Sequence, residues 1–397
     1  QSLIIGAHND LKTVLNSGSH SILNQNDFQH SYRDFQQAKI WAYFKPAAIS
    51  PGLKQITKSK DKQGEQLLAE QMALYQSIGI GLNPSSKGLI LKTVATLKTQ
   101  GLSSSQKTLQ QNLLKVWQSP TQGLQPFLRI SPAKSLFFMG AEGLDSLPLS
   151  LATGQNNAQS LKALQRSFQD LTNLNLEQDL LKHLDGRIGL AVSKPSSGTQ
   201  KLPEFVLILG VKNKQALLNT MTAKLQLNLD PSKKKGTGSK LRFSPKPSAQ
   251  YQGFPIYSLE NNAGQKSLQA TGLLPSFTMT DQLWILGSSP QALKEGLDSF
   301  QGKSPPLESQ AYFSRMKQAL GLESKNSLIY IDLQAGLQAL AQSDPKDRKL
   351  QQLGSALQGL KSFMAGSYYR SGRIESIMML DLDFERVDFQ ALEKILK

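Results

Sequence analysis

The chain has 397 residues, 39% of them hydrophobic and 19% charged, so it is long enough for two or three packed domains and global disorder is excluded. Lys and Arg number 45 against 29 Asp and Glu, and the resulting net charge of +16 favours anionic partners such as nucleic acid, acidic lipid or an acidic protein. Cysteine is absent, which excludes disulfides, thiol catalysis and Cys-ligated metal sites. Its absence fits an oxidising compartment, although a cytosolic protein can also lack cysteine.

The first predicted element lies in SLIIGAHNDLKTVL (2–15), where an apolar run ends at a Gly and an amphipathic leucine pattern follows. Because the chain starts at Gln1 rather than Met, we expect a processed or truncated form, with a signal peptide or membrane anchor upstream. No run approaches the ~18 apolar residues of a membrane-spanning helix, and the most apolar stretch, FVLILGV (205–211), has the length of a strand.

The opening segment belongs to a longer repeat, in which residues 1–98 follow the pattern of residues 281–383 in the same order. The matched segments are LIIG (3–6) with WILG (284–287), LKTVL (11–15) with LKEGL (293–297), the stretch around Phe28 with that around Phe313, WAYFKPAAISPGLKQI (41–56) with LIYIDLQAGLQAL (328–340), the helical pattern of Leu68, Met72 and Tyr75 with that of Leu353, Leu357 and Leu360, and GLILKTVATL (88–97) with RIESIMMLDL (373–382). Such an ordered series is typical of internal duplication, although strand–turn–helix units can also resemble one another on physical grounds alone.

The repeat predicts a domain organisation. Residues 1–98 are predicted to be the second half of a first module, and residues 126–397 a complete second module. Between them, residues 99–125 are predicted to form a helical linker. The linker helix has one apolar face, formed by Leu109, Leu113, Val116 and Trp117.

The complete module mixes strands and helices without strict alternation. Its predicted strands are 135–141, 187–193, 204–212, 254–260, a hairpin over 275–288, 327–333, 363–371 and 373–384. Its predicted helices include one around 161–171 and others at 213–227, 290–300 and 308–320. Short strands joined by hairpins favour an α+β fold of mainly antiparallel sheets with helices packed on them.

Several of these segments resemble a known family. LRISPAKSLFFMGAEGL (128–144), LKHLDGRIGLAV (181–192) and the later LPEFVLILGVKNKQAL, YQGFPIYSLE, LWILGSSPQALKEGL and SLIYIDL resemble the module of an uncharacterised bacterial family, prominent in cyanobacteria, catalogued as domain of unknown function 3352. The resemblance covers 126–340 directly and 1–98 by repetition. It implies a secreted or membrane-tethered envelope protein, on the periplasmic or thylakoid lumen side, and it carries no catalytic residues.

Two glycine-containing segments partly resemble phosphate-binding loops. GLDSFQGKSPP (296–306) has the wrong glycine spacing for a phosphate-binding loop, and Pro305 and Pro306 cannot supply backbone N–H donors. KKKGTGSK (233–240) resembles a phosphate cradle only in composition, and a flexible solvated hairpin tip is the favoured interpretation.

Few residues suggest a catalytic or metal site. Asp27, His30 and Asp34 could share a helical face and hold a metal with one more ligand, but a surface helix is favoured. Asp381 and Asp383 alternate on a strand, and a solvated strand face is favoured over acid–base chemistry. The sequence contains no common hydrolase, zinc-protease or dinucleotide-binding motif, so we expect no enzymatic activity, no cofactor and no metal.

The remaining expectation is a binding role for the basic charge. A polar loop between a helix ending near Leu229 and a strand near Phe254 is expected to attract an acidic lipid or acidic protein. Its candidate residues are Lys233, Lys234, Lys235, Lys240 and Arg242. Nucleic-acid binding is less favoured because the basic clusters are lysine-rich and lack interleaved aromatics, and a hydrolase with a non-local site is a weaker alternative.

Overall fold

The structure is a computed structural model, which describes residues 4–7, 26–46, 72–85, 88–118, 123–143, 155–195, 202–228, 240–260, 273–321, 326–343, 346–388, 390, 391 and 393. The chain divides into two compact units. Unit 1 comprises residues 1–111, 319–323 and 333–397, and unit 2 comprises residues 112–318 and 324–332. The module boundaries at residues 98 and 126 stay predictions, because compact units and sequence repeats need not coincide.

The strands form the sheets of both units. In chain order they are β1 (Ile4–Ala7), β2 (Ile40–Phe44), β3 (Tyr75–Ser85), β4 (Gly88–Leu97), β5 (Ser135–Ala141), β6 (Leu184–Ser193), β7 (Glu204–Val211), β8 (Gln226–Asn228), β9 (Lys240–Arg242), β10 (Ala249–Tyr251), β11 (Phe254–Ser258), β12 (Ser276–Met279), β13 (Leu283–Gly287), β14 (Ser327–Ile331), β15 (Leu360–Arg370) and β16 (Arg373–Leu382). The strand pairs within both units run antiparallel.

The helices complete the predicted α+β class, which is confirmed. They are α1 (Asn26–Asp34), α2 (Ser104–Gln118), α3 (Gln125–Ile130), α4 (Gln155–Thr172), α5 (Lys214–Lys224), α6 (Pro290–Phe300), α7 (Ala311–Ala319), α8 (Leu333–Ser343) and α9 (Arg348–Ala356). Side-chain caps start several of them: the amide oxygen of Asn213 accepts from the Ala216 N–H at 3.1 Å, and the Ser289 hydroxyl accepts from the Ala292 N–H at 3.0 Å. No helix in the described part of the chain is long and apolar enough to cross a bilayer.

Unit 1 is built around two long hairpins in a sheet of order β1-β2-β3-β4-β16-β15. The β15–β16 turn places Ser371 and Gly372 at φ 51° and 80°, the pair of positive angles that a tight two-residue hairpin turn needs. The middle of the sheet is the pairing of β4 with β16, which joins the two hairpins.

The β4–β16 pairing joins the two strands that the predicted repeat matches with each other. The predicted equivalent segments 88–97 and 373–382 coincide with the two strands, and Gly88 of one corresponds to Arg373 of the other. In the sheet, Arg373 lies opposite Thr96 and Asp381 lies opposite Gly88, so each strand contacts the same positions of its counterpart. The two matched segments are therefore direct neighbours in one sheet.

Aromatic packing repeats in the same way in each unit. In unit 1, the ring of Phe28 on α1 meets Tyr43 of β2 edge-on, with centroids 5.3 Å apart at 83°. In unit 2, Phe313 on α7 meets Tyr330 of β14 at 5.1 Å and 75°. Both phenylalanines are fully buried. Two segments far apart in sequence thus build the same helix-on-strand contact, as the matched patterns predict.

Two details of the predicted repeat are wrong. The helical patterns ending at Tyr75 and Leu360 run too far, because each of these residues begins a strand and is followed by an irregularity in strand register. The first match also fails in strand order, since β1 pairs with β2, whereas β5, β6 and β7 separate β13 from β14 in unit 2. The described part of residues 1–98 shows no counterpart of those three strands, and β1 lies directly beside β2.

Unit 2 has the strand order β14-β5-β6-β7-β13-β12-β11-β10 and a separate β8–β9 hairpin. Helices α3 and α6 pack together, and α6 also contacts β7 and β13. The hydrophobic core of unit 2 contains the ring of Phe277 stacked on that of Tyr257, with centroids 4.9 Å apart, and Trp284 edge-on to Phe277 at 6.0 Å. The helix predicted over 213–227 ends at Lys224 because the chain turns into β8, which pairs with β9.

The segment LDGR at the start of β6 holds a buried ion pair. Asp185 Oδ2 accepts from Arg187 Nη2 at 2.6 Å and from Nε at 3.0 Å, while Oδ1 accepts from the Arg187 backbone N–H at 3.0 Å. Gly186 between them has φ 91°, a conformation that favours glycine. Gly210 lies opposite on β7, where a Cβ would overlap the carboxylate. The lack of a side chain at Gly186 and Gly210 thus leaves room for the ion pair.

Candidate functional site

The predicted lysine site is only partly described. Lys233, Lys234 and Lys235 lie outside the described residues, so their expected exposure stays a prediction. Lys240 and Arg242 begin and end β9, whose middle residue Leu241 is fully buried, and Arg242 itself is exposed. The expected loop between the α5 helix and residue 254 therefore includes a short hairpin strand.

The predicted Asp and His positions do not converge on a site. Asp34 at the end of α1 accepts from Arg373 at 2.8 Å, whereas the side chains of Asp27 and His30 lie outside the described residues. Among the residues that the structure describes, no three His, Cys, Asp or Glu side chains are placed to hold a metal ion.

The expectation that Asp381 and Asp383 lie on a solvated strand face is wrong for Asp381. Asp381 is only 7% exposed, because β16 is a central strand and this position lies between Ser362 of β15 and Gly88 of β4. Asp383 follows the strand end, is partly exposed and pairs with Arg386 at 3.4 Å. The two carboxylates are therefore in different environments and do not form a solvated pair.

The alternation of side chains along its strands gives the sheet of unit 1 two distinct faces. Helix α1 covers one face, and the ring of Phe35, the residue directly after α1, occupies the space where Gly79 and Gly81 of β3 lack a side chain. Charges gather on that helix-side face: Glu375 accepts from Tyr368 at 2.5 Å and pairs with Lys92 at 3.5 Å. Burial and the adjacent Glu375 raise the pKa of Tyr368 well above the ordinary value.

The opposite face, here called the open face, is apolar across five neighbouring strands. Strand register places its residues in cross-strand rows: Phe44, Ile78, Ala95, Ile374 and Tyr369; Ala42, Ile80, Thr93, Ser376 and Ser367; Ile40, Leu82, Leu91, Met378 and Ala365; and Leu89, Leu380 and Phe363. Of these side chains only Ile78 is buried, and Ile40 is 49% exposed. The open face is therefore a contiguous apolar surface that keeps contact with solvent.

The open face has no charge and few polar atoms. None of its residues is Asp, Glu, Lys or Arg, and the hydroxyls of Ser367 and Ser376 hydrogen-bond each other at 2.8 Å. With strands about 4.8 Å apart and residues about 3.3 Å apart, the surface measures roughly 20 Å in each direction. Contiguous apolar surfaces of several hundred Å² are typical of interaction sites in soluble proteins.

Unit 2 contains a separate open cleft of about 510 Å³. Its lining residues are Gln125, Pro126, Arg129, Thr280, Asp281, Gln282, Leu283 and Phe300. Arg129 and Asp281 are exposed, and Asp281 pairs with Lys214 at 3.0 Å. Since its charged groups are exposed, this cleft is a weaker candidate than the open face.

Sequence reasoning missed the open face, although a pattern for it exists. The runs LIL (89–91) and IMML (377–380) place apolar residues at successive positions, so these stretches of β4 and β16 put apolar residues on both faces of the sheet. In an antiparallel sheet with one solvated face, apolar and polar residues normally alternate. The lost alternation indicates a second apolar face.

The chain was compared with known families, curated proteins and solved structures. The family described as "Protein of unknown function (DUF3352)" matches residues 13–231 and, overlapping them, residues 159–366. Among the solved structures similar to this chain are crystal forms III, I and IV of TP0453. Their TM-scores are 0.30, 0.32 and 0.30, and their sequence identities to this chain are 10%, 10% and 8%. The matches cover 68%, 68% and 70% of this chain and 84%, 83% and 98% of TP0453. No curated protein matches.

Proposed function

The chain belongs to the DUF3352 family of proteins of unknown function, and we propose that it is a non-catalytic, extracytoplasmic envelope protein that attaches to anionic lipid surfaces. The observation that carries the proposal is the open face, a chargeless surface on a chain whose net charge is +16. A cationic protein with one apolar surface has the two properties that anionic lipid binding uses, electrostatic attraction and contact with hydrocarbon.

The basic loop contributes the electrostatic part of the proposal. Lys233, Lys234, Lys235 and Lys240 stand among Gly and Ser, a composition with little apolar surface to bury, and Arg242 follows on β9. Each lysine near an anionic membrane adds about 1 kcal/mol of attraction at low salt. Nucleic acid is the less favoured polyanion, because the open face offers no Arg or Lys beside its aromatic residues.

Vesicle co-sedimentation tests the proposal. We expect the full chain to sediment with acidic vesicles and not with neutral ones at low salt, and binding to weaken as salt shortens the Debye length. Changing Lys233, Lys234, Lys235 and Lys240 to Gln should reduce binding to acidic vesicles strongly, because four attractive charges are lost from one segment.

The matched control removes the same number of charges elsewhere. Its substitutions to Gln are at Lys54, Lys58, Lys60 and Lys62, the other lysine cluster of the chain. An equal loss of binding in both variants would show that total charge, and not the 233–240 segment, directs attachment. If the unaltered protein shows no preference for acidic vesicles at low salt, the proposed function is wrong.

A further inference from the structure

We infer that the open face of unit 1 is a membrane-contact surface, which lies flat on an anionic bilayer and touches its acyl chains. The inference rests on the proposed attachment to anionic lipid and adds the part of the protein that meets the hydrocarbon. The face is suited to this role because its cross-strand rows contain no charged side chain, although three of them run across five strands and the fourth across three.

The polar chemistry of the open face favours hydrocarbon over a protein partner. Protein–protein interfaces carry about one hydrogen bond per 100–200 Å², so a protein partner needs donors and acceptors to meet. Here Ser367 and Ser376 already bond each other, and the remaining residues are apolar except for Thr93 and the Tyr369 hydroxyl at one corner. A partner that supplies no hydrogen bonds, such as acyl chains, loses nothing on this surface.

The shape of the open face favours a bilayer over a single bound lipid. A small-molecule site is concave and buries most of its ligand. The side chains of the open face are instead spread over five adjacent strands and nearly all keep partial exposure, with Ile40 at its edge 49% exposed. A broad surface with partly exposed side chains can bury its area only against another broad apolar surface.

The charge of the protein favours a bilayer over a second copy of the chain as the partner of the open face. Two copies facing each other would each carry a net charge of +16 and repel, whereas an anionic bilayer carries the opposite sign. The charged residues Lys92, Glu375 and Arg373 lie on the helix side of the sheet. A bilayer on the open face therefore leaves these charged groups exposed to water and leaves their ion pairs intact.

Reporter tryptophans test the contact directly. Met378→Trp places an indole in the middle of the open face, and Ile40→Trp places one at its exposed edge, where the substitution should leave folding intact. Leu171→Trp is the matched control, since Leu171 is 45% exposed on α4 of unit 2. Each full-length variant is bound to anionic vesicles whose acyl chains carry bromine, which quenches indoles that touch them.

We expect bromine to quench the added emission of Met378→Trp and Ile40→Trp and to spare that of Leu171→Trp. A second measurement uses the double variant Leu91→Gln with Met378→Gln, whose side chains lie opposite each other. At low salt, where the unaltered protein binds acidic vesicles, the vesicle binding of this double variant should fall at least about tenfold, while Leu171→Gln should bind as before.

The outcomes separate this inference from the proposed function. If the protein sediments with acidic vesicles but neither open-face reporter is quenched, the open face is not the contact surface, while attachment to anionic lipid stands. Equal quenching of all three reporters also overturns the inference. If the protein does not sediment with acidic vesicles at all, both proposals are wrong. If the protein instead forms a concentration-dependent dimer, and the Met378→Trp indole is shielded from solvent by that dimer and not by vesicles, the open face binds a second copy of the chain.

Discussion

Replacing Asp185 with Ala is expected to destabilise unit 2 by about 3–5 kcal/mol, because it leaves a buried guanidinium without its counter-ion. The side chains of Asp185 and Arg187 are only 8% and 5% exposed, and the carboxylate accepts three hydrogen bonds from Arg187. The Arg187 guanidinium also lies 5.5 Å from the Phe127 ring centroid, in a site with no other described acid in contact. Urea unfolding followed by circular dichroism measures the loss.

Asp281→Ala is the matched control for this prediction. Asp281 also pairs with a single basic residue, Lys214, at 3.0 Å, but its side chain is 93% exposed. Exposed ion pairs contribute about 0–1 kcal/mol, so the control should unfold at nearly the same urea concentration as the unaltered protein. Comparable losses in the two variants would show that the LDGR ion pair is not effectively buried.

The second large effect is expected at the repeated aromatic contact. Phe28→Ala and Phe313→Ala should each cost about 3–5 kcal/mol, since both rings are fully buried and both leave a cavity beside a tyrosine. Because the two contacts are equivalent in the duplicated module, their costs should be similar. Hydrogen exchange followed by mass spectrometry locates each effect, with Phe28→Ala loosening unit 1 and Phe313→Ala loosening unit 2.

Phe384→Ala provides the control for ring removal, because Phe384 is 48% exposed and its loss leaves no enclosed cavity. A small effect there, with large effects at Phe28 and Phe313, is the expected pattern. If only one of the two buried phenylalanines matters, the two copies of the module do not use this contact in the same way.

The duplication was predictable because it depends on the order of apolar patterns along the chain. The segments 88–97 and 373–382 are long enough to be matched, and they become β4 and β16 with the same bounds. Helix ends were less predictable. At Tyr75 and Leu360 the residues after a helical pattern are also good strand formers, and the irregular register that follows is invisible in composition.

The candidate site was harder to predict than the fold. The open face arises from register, since Leu91 and Met378 meet only when β4 and β16 pair. The sequence shows that these strands are apolar at successive positions, but it does not show which elements cover each face. The burial of Asp381 has the same cause. It lies on a central strand with a neighbouring strand on each side, and the pattern of one strand does not show which strands will pair with it.

The pairing of β4 with its own counterpart β16 bears on how the chain arose. Contacts in which each partner offers the same surface are those of a symmetric homodimer, and a gene fusion would turn such a dimer into one polypeptide without altering the contact. A relative encoding one copy would keep a terminal strand with an unsatisfied edge, and dimerisation in this register would satisfy it. Fusion makes that association independent of protein concentration, so the assembled sheet persists however dilute the protein is.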